Sequence, residues 1–301
     1  MHRLVFWLTY PLLWLISILP FRLFYLVSDV VFLLVYYLIG YRKKTVKENL
    51  DLVFPEKSRE EKNVITKKFY RHMCDIFLEM IKTISISDEE LKKRFVFTNP
   101  EEFQRIKKLD KSLIAMCGHY ASYEWMIALQ LHGVDYTAFG IYKKVKNPYF
   151  DKLARDIRGK FDGVLIPTVQ ATSQITALEK AGQRGIYAMI SDQSPKRYKK
   201  THWIDFMGIK VPVFMGSEIL ARKLDLAVIY LHVEKVKRGH YAATLINICD
   251  NPREEPEFAI TREYIKLLER QIKKKPEYYL WTHKRWKHRN RPISEDSVVI
   301  D

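Results

Sequence analysis

The stretch that decides the fold lies near the middle of the chain and reads Cys117-Gly118-His119-Tyr120-Ala121-Ser122-Tyr123-Glu124-Trp125. Residues 112–116 before it are short and apolar, which predicts a buried strand. Residues 125–131 after it predict a helix that ends at Gly133. His119 therefore stands at a strand-to-helix junction. In an open α/β sheet, ligands bind at the carboxyl ends of the strands, so this junction is a candidate site.

His119 and Glu124 form the candidate catalytic pair at this junction. Ser122 is a predicted N-cap, which places Glu124 in the first turn of the helix. The chain can then fold the Glu124 carboxylate back onto the imidazole, and a histidine held in this way acts as a general base of fixed tautomer. The alternative is a buried histidine with a satisfied hydrogen bond, beside a glutamate favoured by the helix dipole. The spacing alone leaves both interpretations open.

The composition indicates an acidic partner. The 301 residues include 51 Lys and Arg against 35 Asp and Glu, which gives a net charge of +16. Such an excess suits nucleic acid, an anionic membrane or a phosphorylated substrate.

Three widely separated cysteines, Cys74, Cys117 and Cys249, form neither a zinc pattern nor a disulfide framework. We expect them to be buried packing residues in a reducing compartment. No phosphate-binding or dinucleotide-binding glycine motif occurs, so we expect neither a metal nor a cofactor.

The first forty residues are apolar and rich in aromatic side chains. Between residues 4 and 39 the only charged side chains are Arg22 and Asp29. Pro20 divides this segment into two runs, and no small-residue cleavage site follows the first run, which argues against a signal peptide. The aromatic residues and the basic residues 42–44 that follow predict a membrane anchor over residues 1–44, as one tilted span or a shallow hairpin. A pair of core helices is the alternative.

The rest of the chain, residues 45–301, is predicted to form the catalytic domain. Strands are predicted at residues 136–142, 164–167 and 185–190, with helices between them. This alternation is typical of an α/β fold whose twisted sheet is mostly parallel or mixed and is flanked by helices.

Two further segments are candidate edges of the site. Asp192 and Gln193 directly follow a predicted strand, although an Asx-type turn would explain them equally well. Gly216 and Ser217 begin a predicted helix and could offer backbone N–H groups to an anion, with a plain helix cap as the alternative.

Several short motifs occur in a fixed order along nearly the whole chain. They are Tyr41-Arg42-Lys43, Glu48-Asn49-Leu50, Phe54-Pro55-Glu56, Gly118-His119 with Glu124, Asp192-Gln193, Phe206-Met207-Gly208 and Trp281-Thr282-His283-Lys284-Arg285-Trp286-Lys287. Together they resemble the bacterial lipid A biosynthesis acyltransferases, the late or secondary acyltransferases of lipopolysaccharide assembly. The His-x-x-x-x-acid motif is shared with glycerolipid acyltransferases in general. This chain departs from the family between the histidine and the acid, where it has Tyr120-Ala121-Ser122-Tyr123.

The resemblance implies a glycerolipid acyltransferase-like fold at the cytoplasmic face of the bacterial inner membrane. It implies an acyl carrier protein thioester as the donor and a hydroxyl of a lipid A precursor, a phosphorylated glycolipid, as the acceptor. His119 would be the general base and Glu124 would orient its ring. Arg158 would hold a phosphate of the lipid or of pantetheine, with a surface ion pair as the alternative. Asp192 and Gln193 would shape the site.

Two rival functions remain open at this point. The first keeps the chemistry but changes the acceptor to an amino-acid lipid, another glycolipid or a lysophospholipid. The second is a non-catalytic basic protein that binds membranes or nucleic acid, which the charge and the basic, aromatic C-terminal segment would support. No nucleic-acid recognition module occurs, and proximity to lipid explains the charge more simply, so we expect no nucleic-acid partner.

Overall fold

The computed structural model describes residues 2–133, 135–196 and 199–301. Its α-helices are α1 (His2–Ile18), α2 (Phe21–Leu33), α3 (Lys43–Val53), α4 (Arg59–Lys82), α5 (Asp88–Arg94), α6 (Glu101–Leu109), α7 (Pro148–Arg158), α8 (Ala171–Lys180), α9 (Gly216–Leu224) and α10 (Ala259–Lys274). A π-helical turn (Leu34–Ile39) continues α2, and 3-10 helices cover Glu124–His132, Thr168–Gln170 and Pro276–Tyr278. The strands are β1 (Phe95–Phe97), β2 (Leu113–Cys117), β3 (Thr137–Tyr142), β4 (Val164–Pro167), β5 (Gly185–Ile190), β6 (His202–Phe206), β7 (Ile209–Val213), β8 (Ala227–Lys237), β9 (His240–Cys249) and β10 (Val298–Ile300).

A seven-stranded sheet in the order β1-β9-β8-β2-β5-β3-β4 forms the centre of the protein. The five strands from β8 to β4 run parallel, and the hairpin that joins β8 to β9 makes the sheet mixed. Every residue of β2 is buried, as expected for a strand with helices on both faces. The predicted α/β fold with a mostly parallel or mixed sheet is therefore confirmed.

A second, three-stranded sheet has the order β10-β6-β7, and α10 contacts both its β6 strand and strands β2, β8 and β9 of the first sheet. Its β6–β7 hairpin turns at Met207-Gly208, where both residues have positive φ, 56° and 75°. Such a turn requires a residue without a Cβ at one or both central positions, which explains this glycine in the Phe206-Met207-Gly208 motif. These two strands are not among the strands predicted from the sequence.

The two N-terminal helices pack against the domain. Helix α1 contacts α4 and α7, and α2 contacts α4 over several turns. Their outer faces stay exposed and apolar, with Leu8 and Leu26 at 72% and 60% exposure. Among the described residues, one helix, Phe21–Ile39, is long and apolar enough to cross a membrane by length and composition.

The basic, aromatic C-terminal segment is part of the core. Trp281 and Trp286 are fully buried, and the indole N–H of Trp286 donates to the Phe206 carbonyl at 3.2 Å. Asn49 donates to the carbonyls of Trp281 (2.8 Å) and His283 (2.9 Å). Motifs that are far apart in the sequence therefore meet in space, and the tryptophans of this segment are not available as an exposed stacking surface.

Candidate active site

The strand register brings His119 and Asp192 together. Strands β2 and β5 are parallel neighbours, and Cys117 at the end of one pairs with Ile190 at the end of the other. His119 follows Cys117 by two residues, and Asp192 follows Ile190 by two residues. Because both segments leave the same edge of the sheet at the same level, the two side chains meet.

Asp192 holds both the backbone and the ring of His119. Its Oδ1 lies 2.6 Å from the imidazole Nδ1, and its Oδ2 accepts the backbone N–H of His119 at 3.1 Å. The Asp192 side chain is 1% exposed, whereas the His119 side chain is 18% exposed. This arrangement fixes a tautomer with the proton on Nδ1 and leaves Nε2 as the basic nitrogen.

The electrostatics favour an ionised aspartate beside a basic histidine. Burial alone would lower the pKa of His119, but the charge and hydrogen bond of Asp192 raise it above its ordinary value. Burial alone would raise the pKa of Asp192, but His119, and then Arg285, hold it below its ordinary value. Asp192 is thus prepared to stabilise an imidazolium that forms during a reaction.

The structure does not place the Glu124 carboxylate on the His119 ring, as the sequence predicted, since the ring Nδ1 contacts Asp192 instead. Glu124 instead forms a bidentate pair with Arg158, whose Nη2 and Nε donate to its two carboxylate oxygens at 2.6 and 2.9 Å. The pair is largely enclosed, with 11% and 28% of the two side chains exposed. Glu124 still acts on His119 at a distance, since its negative charge also raises the pKa of the imidazole.

The local backbone explains why Glu124 turns away from the ring. Ala121 has φ 47°, so the chain reverses before the following helix. That helix is a 3-10 helix that begins at Glu124, with Tyr123 rather than Ser122 at its N-cap position. The Ser122 hydroxyl is buried without a hydrogen-bond partner, so the predicted N-cap at Ser122 was wrong. The helix before Gly133 and the position of Glu124 in its first turn are as predicted, but the Glu124 carboxylate does not lie on the imidazole.

The turn that carries His119 is bound on two sides. A Cβ at Gly118 would lie 2.5 Å from Leu268 Cδ1 of α10, so the Leu268 side chain would have to shift to accommodate any other residue here. On the other side, the backbone of Ala121 donates to the Tyr278 carbonyl at 3.0 Å, and that of Leu280 donates to the His119 carbonyl at 3.1 Å. The C-terminal segment therefore helps to fix the position of the histidine.

A shallow apolar cleft that is open to solvent leads to His119. Residues of α4 form one wall, including Met73, Ile76 and Phe77, and Tyr278 and Leu280 form another. This lining suits a hydrocarbon chain better than a polar ligand.

Two side chains lie against the ring beside this cleft. The Tyr123 ring meets the imidazole edge to face, with 5.0 Å between the centroids. The Gln193 amide nitrogen lies 3.3 Å from Nε2 of His119. Gln193 thus contacts the ring nitrogen that Asp192 does not hold.

The other predicted site residues lie nearby but contact different groups. Gly216 and Ser217 begin α9, and the Ser217 hydroxyl lies 3.2 Å from that of Ser191, the residue before Asp192. Cys117 is buried, and burial raises its pKa, which suits packing rather than nucleophilic attack. Within the described ranges, no group of three or more His, Cys, Asp or Glu side chains could hold a metal ion.

Sequence reasoning missed the role of Asp192 as the partner of the ring. The signal was present, because His119 and Asp192 follow their predicted strands closely, but nothing in the sequence states that the two strands are neighbours. Arg285 was also missed as part of this region. It is completely buried in the C-terminal segment, donates to the Pro212 carbonyl at 3.0 Å, and lowers the pKa of Asp192.

Comparison with known proteins gives a consistent result. Residues 1–288 match the family model of the bacterial lipid A biosynthesis acyltransferases. The chain is 23% identical to the lipid A biosynthesis palmitoleoyltransferase of Escherichia coli K12, over 98% of this chain and 95% of that protein. It is 24% identical to the lauroyltransferase of lipid A biosynthesis from the same organism, over 94% and 91% of the two chains. A lipid A biosynthesis acyltransferase of Haemophilus influenzae is 22% identical, over 91% and 85%.

Proposed function

The chain belongs to the bacterial lipid A biosynthesis acyltransferase family, and from this we propose the donor, the acceptor and the catalytic residues of its reaction. The protein is an acyltransferase of lipid A biosynthesis. In our proposal it moves a fatty acyl chain from an acyl carrier protein thioester to a hydroxyl of a lipid A precursor. His119 is the general base, and Asp192, rather than Glu124, orients its ring. The observation that carries this assignment is the 2.6 Å contact between Nδ1 of His119 and Asp192.

The proposed reaction is a direct transfer without an acyl-enzyme. Nε2 of His119 removes the proton of the acceptor hydroxyl while the hydroxyl oxygen attacks the thioester carbonyl carbon. The tetrahedral intermediate then collapses, the carbon–sulfur bond breaks, and the leaving thiolate takes the proton from the imidazolium. Asp192 stays ionised throughout and stabilises the imidazolium. The products are the new ester and the free thiol of the carrier.

The developing oxyanion needs donors near the thioester carbonyl. The backbone N–H of Tyr120 donates to the Gly118 carbonyl, and that of Ala121 donates to the Tyr278 carbonyl. They are therefore committed elsewhere, and the start of the 3-10 helix near Ser122 and the start of α9 at Gly216 are the candidates in our proposal.

Substrate binding follows from the cleft and from the ion pair beside it. The apolar cleft lined by α4 would take the acyl chain or a chain of the lipid acceptor. Arg158 lies behind Glu124 and uses two of its donors on that carboxylate, which leaves Nη1 for a substrate phosphate. Gln193 would contact the acceptor hydroxyl near Nε2.

Attachment to the cytoplasmic face of the inner membrane belongs to the same proposal. Residues 1–44 would provide the attachment and residues 45–301 the chemistry. The exposed apolar side chains of α1 and α2 support this assignment. Of the basic residues that follow, Lys44 is exposed, whereas Arg42 donates to the Thr282 carbonyl at 2.9 Å and so holds the C-terminal segment.

A transfer assay with the purified full-length protein in detergent tests the donor and the acceptor. Donors are an acyl carrier protein thioester and the coenzyme A thioester of the same acyl group. Acceptors are a lipid A precursor, an amino-acid lipid and a lysophospholipid. We expect product only with the lipid A precursor and a faster reaction with the carrier protein. Efficient acylation of either other lipid, without acylation of the precursor, would contradict the proposed acceptor.

A double-mutant cycle tests the role of Glu124. Glu124→Gln and Arg158→Met each leave one partner buried without its counter-ion, which lowers both stability and turnover. If Glu124 acts mainly by holding Arg158, the free-energy losses of the two single variants should not add. The loss in the double variant should then be smaller than their sum by a coupling energy of roughly 0.5–3 kcal/mol. Turnover and melting temperature of the four proteins measure this coupling. Additive losses in turnover would instead indicate that Glu124 acts on His119 independently of Arg158.

A further inference from the structure

We propose that the N-terminal helices lie in the plane of one membrane leaflet and do not cross the bilayer. The inference rests on the membrane attachment proposed above and makes it more specific. The outer face of α1 and α2 would bind a phospholipid leaflet, while the inner face of α2 stays packed against α4.

The middle of α2 is bound to the catalytic domain by charged groups. Asp29 accepts hydrogen bonds from Nη2 and Nη1 of Arg238, at 2.9 and 3.0 Å. Arg238, in the turn between β8 and β9, also donates to Asp75 of α4 at 2.7 Å. Asp75 in turn accepts the hydroxyl of Ser28 at 2.8 Å. Ser28 and Asp29 of this apolar helix thus belong to a partly buried network with α4 and the β8–β9 hairpin.

These contacts continue along much of the helix. Tyr25 donates to Glu79 of α4 at 2.8 Å, and the Tyr36 ring lies 5.3 Å from that of Tyr70, also on α4. Tyr36 follows Tyr25 by eleven positions, which corresponds to about 16 Å along a helix axis. A Cβ at Gly239 in the hairpin turn would lie 2.0 Å from the Tyr25 hydroxyl, so the hairpin also fits closely against α2.

A spanning position is incompatible with these contacts. If α2 crossed the bilayer while it stayed bound to α4, then Arg71, Asp75 and Glu79 would enter the hydrocarbon. A charged side chain at the bilayer centre is unfavourable because it loses its hydration. Helix α4 does not qualify as a membrane span, since Phe21–Ile39 is the only helix in the described part of the chain that does. The helix would have to leave the domain in order to span.

The outer face has the chemistry of a leaflet-binding surface. Exposed apolar side chains recur every three or four residues along both helices: Leu4, Leu8, Leu12 and Leu15 on α1, and Leu23, Leu26, Val30 and Leu33 on α2. Arg22 and Lys44, both exposed, lie near the two ends of this surface, where anionic headgroups would meet them. A continuous apolar stripe opposite a polar, bound face is typical of a helix that lies in the interface.

The position of the cleft agrees with this arrangement. Helix α4 contacts α2 through Asp75 and Glu79, and an adjoining face of α4 lines the cleft through Met73, Ile76 and Phe77. Phe77 is 47% exposed at the mouth of the cleft. A lipid in the leaflet could therefore reach His119 along α4 without leaving an apolar surface.

Opposite substitutions on the two faces of α2 test the proposal in the full-length protein. Asp29→Leu makes the helix more apolar but removes one of the two carboxylate partners of Arg238. The in-plane arrangement predicts a melting temperature several degrees lower and unchanged sedimentation with vesicles of phosphatidylethanolamine and phosphatidylglycerol in high salt. The matched variant Leu26→Asp/Leu33→Asp, on the outer face, should keep the melting temperature and lose most of the vesicle-bound fraction. An Asp29→Leu protein that melts at or above the wild-type temperature would overturn the proposal.

Cysteine labelling tests the topology directly. The three native cysteines are buried, so Arg3→Cys provides an accessible thiol near the start of α1. The in-plane arrangement predicts that a membrane-impermeant maleimide labels it in inverted vesicles but not in intact spheroplasts. Labelling in spheroplasts would show that α2 crosses the bilayer and would overturn the proposal while leaving membrane attachment intact. A wild-type protein that does not sediment with vesicles would overturn the attachment itself, and acyl transfer in detergent would be unaffected by either result.

Discussion

Replacing Asp192 by Asn is expected to lower the turnover of acyl transfer by about 10³- to 10⁴-fold. The amide keeps the size of the side chain but loses the charge that stabilises the imidazolium, and its NH₂ group favours the wrong tautomer of His119. The carboxylate raises the pKa of His119, so its loss should lower that pKa. Since only the neutral imidazole can act as the base, the acid limb of the pH–rate profile should move to lower pH.

Asp151→Asn is the matched control for this variant. Asp151 is also buried, at 2% exposure, and it accepts the backbone N–H of Val145 at 2.8 Å, on the segment before α7. The same substitution there should lower stability without a comparable loss of turnover. If Asp192→Asn kept near-normal turnover and an unchanged acid limb, Asp192 would not be the partner of the catalytic ring.

Replacing His119 by Ala is expected to have an effect at least as large, roughly 10⁴-fold in turnover, because the proton transfer itself is lost. The protein should remain folded and attached to membranes, since the His119 ring is partly exposed and lies beside a cleft. Steady-state transfer with the purified variant, together with a melting curve, measures both properties.

The double variant His119→Ala/Asp192→Asn extends this prediction. Because Asp192 acts through His119, adding the second substitution should cost little further turnover, as expected for residues that act as one unit. His132→Ala, at a histidine that contacts the Phe95 carbonyl at 3.1 Å, serves as the control and should transfer normally. Near-wild-type transfer by His119→Ala would exclude His119 as the general base.

The positions of the main parallel strands could be predicted from the sequence because they are short, apolar and bounded by turn residues. Residues 112–116, 136–142 and 185–190 were predicted as strands and correspond closely to β2, β3 and β5. Both His119 and Asp192 were consequently placed at the carboxyl ends of strands. This much follows from local pattern alone.

The pairing of His119 with Asp192 could not be predicted in the same way. It depends on the order of strands in the sheet, and β2 and β5 are separated along the chain by two strands and several helices. Glu124 was preferred because it lies five residues from His119, but the positive φ of Ala121 redirects the chain, so sequence proximity was the wrong guide. Arg158, thirty-four residues further on, satisfies Glu124 instead.

The C-terminal segment illustrates a second limit. Its mixture of tryptophans and cations would fit either a binding surface or a core, because composition does not say which face is covered. The structure buries Arg285 and Trp286 against the β6–β7 hairpin and buries Trp281 against Phe54 and Trp286, and the backbone at Leu280 supports the His119 turn. Only the tertiary contacts of these residues distinguish the two cases.

The most direct test of the central claim is mass spectrometry of lipid A from a strain that lacks this gene. The strain is complemented with the wild-type protein, with His119→Ala or with Asp151→Asn, at matched levels in the membrane fraction. We predict lipid A that lacks one acyl chain in the deletion strain, restored by the wild type and by Asp151→Asn but not by His119→Ala. Unchanged lipid A in the deletion strain, or full restoration by His119→Ala, would contradict the account.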